Sequence, residues 1–102
     1  MTPSITKVYQ LYSSRNTPLS AQIIETSNGH KTLISYNSVI FEVDENHNLL
    51  YLSDKWDYSK TTTSHINKAI DFLNDIKEID LAPLTNAQRK AALKRFYRKQ
   101  EK

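Results

Sequence analysis

Thr61-Thr62-Thr63-Ser64-His65-Ile66-Asn67-Lys68-Ala69-Ile70-Asp71-Phe72-Leu73-Asn74-Asp75-Ile76 is where the chain changes period. Ile66, Ala69, Ile70, Leu73 and Ile76 recur at helical spacing, and Phe72 and Ile79 widen the stripe. Asn67, Lys68, Asp71, Asn74, Asp75 and Glu78 take the opposite face. The hydroxyl residues ahead of the stripe are of the kind that caps a helix. The spacing therefore predicts an amphipathic helix over 64–78, with its apolar side against a neighbouring layer.

Upstream of that stretch the period is two. Residues 5–12 are rich in β-branched and aromatic types and read as a strand. Over 19–26, Leu19, Ala21 and Ile23 share a face. Asn28-Gly29 follows, a pair suited to the positive φ angles of a type I′ hairpin. Residues 31–36 make the return strand, and Val39, Phe41 and Val43 share one face of the next, over 39–43. Asp44 to Asn48 is a polar loop before a strand at 49–53. The expectation is four to five antiparallel strands in a meander.

Downstream, Asp80 to Leu84 contains Pro83 and reads as a connector. Thr85-Asn86-Ala87-Gln88 matches a capping box, so a second helix should run over 85–101. Its apolar side is narrow: Leu93 and Phe96, flanked by Ala92 and Tyr97. The fold class expected is α+β, a meander packed by one amphipathic helix, with a projecting basic C-terminal helix. The division is a domain over 1–80 and a connector with basic helix over 81–102.

The 102 residues allow one modest core. With 38% hydrophobic residues the composition is too apolar for a disordered chain. The absence of cysteine excludes disulfides, thiolate nucleophiles and Cys-ligated zinc. The longest apolar run is Leu49-Leu50-Tyr51-Leu52, so no membrane span is expected; no signal peptide opens the chain, and a cytoplasmic location is the default. Charge is uneven. From Arg89 to Lys102 there are seven basic residues and one acid, Glu101, although the whole chain is only +3. An acidic body with a basic end suggests a polyanionic or acidic partner.

Signals for catalysis or metal binding are sparse. His30, His47 and His65 have no ligand-like spacing, and neither metal nor cofactor is expected. Asp54, Asp57 and His65 could meet beside Ser59, but such sets arise freely in any chain of this composition. Gly29 is the only glycine, so no phosphate loop or nucleophile elbow exists. No enzymatic activity is expected.

Two segments remain. Trp56, Tyr58, Lys60, Thr61, Thr62 and His65 combine aromatics, a cation and hydroxyls at the start of a helix, a pattern for a secondary interface or anion site. The simpler reading makes Trp56 a lid on the core and the hydroxyls caps. The stronger signal is the second helix. Lys90, Lys94, Arg98 and Lys102 form an i, i+4 ridge, and Arg95 and Lys99 widen it. Like charges at that spacing repel, and a phosphate backbone would offset the repulsion. The alternative is a solvated tail that complements the helix dipole.

Ser35-Tyr36-Asn37-Ser38-Val39-Ile40 and the pattern Tyr-Ser-x-Thr-Thr-x-x-His, met by Tyr58, Ser59, Thr61, Thr62 and His65, carry a resemblance over about 33–73. The chain resembles a family of short proteins encoded by phages, plasmids and conjugative elements of low-GC Gram-positive bacteria. Some small proteins of such elements are type II-A anti-CRISPRs. The resemblance implies a mobile-element setting, and together with the basic helix the expected function is a non-enzymatic inhibitor whose partner is Cas9 or its guide RNA. The rivals are a nucleic-acid-binding accessory protein, engaging RNA or DNA, and a small RNA-cleaving nuclease. The segment from Thr85 to Lys102 is not covered by the resemblance.

Overall fold

The computed structural model describes residues 4–46, 48–57, 59–76 and 84–100. Five strands, β1 (Ile5–Tyr12), β2 (Pro18–Thr26), β3 (Lys31–Ser35), β4 (Ser38–Val43) and β5 (Leu49–Leu52), precede helices α1 (Lys60–Ile76) and α2 (Asn86–Gln100). The strands pair antiparallel in the order β1-β2-β3-β4-β5, an open meander. This is the α+β fold expected.

Alternation along the strands decides the core. Leu11, Ala21, Ile23, Leu33, Phe41, Val43 and Leu52 are buried, and the α1 residues Ile66, Ala69, Ile70 and Leu73 complete the same core. Each large side chain so buried contributes roughly 1.5–3 kcal/mol. Tyr9 and Phe72 extend this layer, with ring centroids 5.2 Å apart. The opposite face leaves Val8, Val39 and Tyr51 exposed. No helix among the described residues is long and apolar enough to cross a membrane.

Four local details depart from the sequence reading. First, α1 begins at Lys60 rather than 64. Ser59 is the cap: its Oγ accepts the Thr62 N–H at 3.2 Å, and its carbonyl accepts the Thr63 N–H at 3.1 Å. The threonines cost only a few tenths of a kcal/mol each in a helix. Burial of Thr62, whose hydroxyl meets Ser59 Oγ at 3.2 Å, favours including them.

Second, Val39 points outward and Ile40 inward. The register with β3 shifts between Leu33↔Phe41 and Ile34↔Val39, so a bulge places Ile40 beside Phe41 on the core side. Third, Asn28-Gly29 is not a type I′ pair. Of these two only Gly29 has positive φ, at 84°, and its N–H donates to the Thr26 carbonyl. That is a three-residue loop closed by a glycine bulge. Positive φ at both central residues occurs instead at Tyr36 and Asn37, between β3 and β4, so β3 ends at Ser35 and not at 36.

Fourth, α2 does not project. It lies along β5, where the Gln100 amide donates to the Leu52 carbonyl and accepts the Leu52 N–H, both at 2.7 Å. The side chain thereby occupies backbone groups of an edge strand that would otherwise invite pairing.

Candidate nucleic-acid interface

The geometry of α2 follows from what each side of it touches. The capping box forms: the Gln88 N–H donates to Thr85 Oγ1 at 3.2 Å, and the Thr85 N–H donates to Gln88 Oε1 at 2.9 Å. Arg89 is buried, with its guanidinium 3.0 Å from Asp71 Oδ1 and 3.2 Å from Asn67 Oδ1 on α1. One turn on, Leu93 is buried, and Phe96 and Tyr97 pack partly against the core. Arg89, Leu93, Phe96 and Gln100 therefore form one inward stripe. It is wider than Leu93 and Phe96 alone.

The remaining basic side chains face out. Lys90, Lys94, Arg95, Arg98 and Lys99 are all exposed. Lys90 lies 3.6 Å from Asp57, an exposed pair worth at most about 1 kcal/mol. Lys94, Arg95, Arg98 and Lys99 have no ionic partner among the described residues. Arg98 and Lys99 in the last turn complement the helix dipole. Lys102 lies outside the described residues.

The second group of residues is divided between interior and surface. Trp56, Thr62 and His65 are buried, whereas Lys60 and Thr61 are exposed. Tyr58 lies outside the described residues. Trp56 lines a narrow cleft with Ile66 of α1 and Arg89 and Leu93 of α2, the position of a lid.

His65 Nδ1 is 2.7 Å from Ser35 Oγ, and its ring lies against Tyr36 at a centroid distance of 5.5 Å. Ser59 is a helix cap, and the hydroxyl that reaches His65 is the buried one of Ser35. Tyr36 holds a φ of 49°, uncommon for an aromatic residue. His30 pairs with Glu42 at 2.8 Å, and His47 lies outside the described residues. Among the described residues no group of three or more His, Asp or Glu is placed to hold a metal ion.

Burial pushes the His65 pKa below its ordinary 6.5. The unfolded chain then binds a proton at higher pH than the folded one. Stability from this group is full above pH 6.5 and is lost as pH falls through that value toward the folded pKa. The melting temperature should thus drop on mild acidification, and His65→Gln should flatten the drop. An identical pH profile for wild type and variant would contradict this.

Two residues of α2, Arg89 and Gln100, fix the helix to the body although neither belongs to its apolar side. Arg89, which counts in the sequence only toward the charge of the basic end, lies four positions before Leu93 and turns inward to meet Asp71. Gln100 falls on the same stripe, but no sequence pattern announces a bond to a strand edge.

A family model described as a family of unknown function (DUF8033) matches residues 6–83. The match ends before α2. The comparison with curated proteins and that with solved structures each found no match.

Proposed function

The chain belongs to this family of unknown function, and we propose that within it the protein is a binding protein without catalytic chemistry, holding the phosphate backbone of an RNA on the exposed face of α2. The observation that carries the reading is the fixed exposure of Lys94, Arg95, Arg98 and Lys99 on a helix anchored from behind by Arg89, Leu93 and Gln100. A tail that only solubilised the protein would need no such anchoring. A row of unpaired cations held on a rigid element is what a polyanion requires.

The resemblance to proteins of phages and plasmids makes the guide RNA of Cas9 the first target to test. In that form the protein would be an anti-CRISPR that occupies the guide, or an acidic Cas9 surface, and blocks interference. Co-purification from a bacterial host expressing Cas9 and guide, with and without nuclease, tests it. The reading expects Cas9 to be recovered and then lost when RNA is digested. Cas9 retained after digestion would move the contact to protein. RNA recovered without Cas9 would favour an accessory nucleic-acid-binding protein.

A further inference from the structure

A polar groove of about 670 Å³ opens between α1 and the first turns of α2. Lys60, Ser64 and Lys68 line it at successive i, i+4 positions of α1, with Asn67 beside them; Asn86 and Lys90 contribute from α2. Two acids also line it, and both are engaged: Asp71 with Arg89 at 3.0 Å and Asp57 with Lys90 at 3.6 Å. Lys60 and Lys68 have no ionic partner among the described residues.

The placement of Lys60 is electrostatically unfavourable. It occupies the first position of α1, where the helix dipole is positive, and neither helix carries an acid in its first turn. An anion in the groove would turn that local repulsion into attraction. The Ser64 hydroxyl and the Asn67 and Asn86 amides offer neutral donors around it. Lys90 belongs both to the groove and to the ridge that continues through Lys94 and Arg98.

From this arrangement we infer that the groove is a phosphate site, which takes a terminal or internal phosphate of the same RNA strand that lies along α2. The route of the strand rests on the function proposed above. The chemistry of the groove does not, because a free phosphate would meet the same groups.

The test uses the full chain and two probes. Inorganic phosphate, followed in the amide NMR spectrum, should shift Lys60, Ser64, Asn67, Lys68 and Asn86. Those shifts should vanish in Lys60→Ala/Lys68→Ala, a pair outside the core at which alanine favours the helix. They should persist in Lys94→Glu/Arg98→Glu. Short single-stranded RNAs with and without a 5′-phosphate then separate the two sources. Tighter binding of the phosphorylated strand puts its end in the groove; equal binding puts an internal phosphate there. In either case Lys60→Ala/Lys68→Ala should flatten the slope of log affinity against log salt by about 0.7, the share of one phosphate on a single strand.

Phosphate shifts in a protein that binds no RNA would uphold the phosphate site and remove the RNA from it. Absence of phosphate shifts at these residues, or an unchanged salt slope in the lysine pair, would overturn the inference even if the Lys94/Arg98 variant loses RNA.

Discussion

Trp56→Ala is expected to destabilise the protein by about 3–5 kcal/mol, the range for removing a buried aromatic side chain. The indole is only 7% exposed and lines the cleft between α1 and α2 with Ile66, Arg89 and Leu93. Its removal leaves a void between elements whose positions are fixed elsewhere, by Arg89 to Asp71 and by Gln100 to Leu52, so collapse around the void is limited. In a domain of this size each kcal/mol lowers the melting temperature by roughly 4–8 °C. The melt should therefore fall by more than about 10 °C. RNA affinity, measured on the same sample while it is still folded, should change far less. Unchanged melting with lost binding would make Trp56 an interface anchor instead.

Most of the fold was legible because period and turn chemistry are local. The alternation of Leu19, Ala21 and Ile23 and the stripe Ile66, Ala69, Ile70 and Leu73 placed the two sides of the core. What escaped was decided by tertiary partners. The start of α1 depended on burial of Thr62, which the hydroxyl run does not encode. The inward turn of Ile40 required a bulge set by pairing with β3, and the left-handed turn fell at Tyr36-Asn37, where no glycine signals it. The α2 ridge could be read directly from the spacing of Lys90, Lys94 and Arg98. The burial of Arg89 could not, since a cation is assigned to solvent until its acid is found, and Asp71 lies eighteen residues away on another helix.

The charge-reversal pair Lys94→Glu/Arg98→Glu carries the largest expected effect on binding. Both side chains are exposed and without ionic partners among the described residues, so the fold should hold to within about 0.5 kcal/mol. The change removes two cations from the ridge and installs two anions against the phosphates. Each lost phosphate contact takes about 0.7 from the salt slope on a single strand and about 0.9 on a duplex. Affinity should fall most at low salt, where screening is weakest. Lys90, Arg95 and Lys99 remain, so weak residual binding is expected.

The most direct measurement of the central claim is therefore the affinity of the wild type and of Lys94→Glu/Arg98→Glu for RNA across a salt series, with melting curves of both. The account predicts equal melting, weaker binding by the variant and a slope flattened by about 1.4 to 1.8. Equal affinity and equal slope for the two proteins would show that the basic face of α2 is solvated charge and not a binding surface.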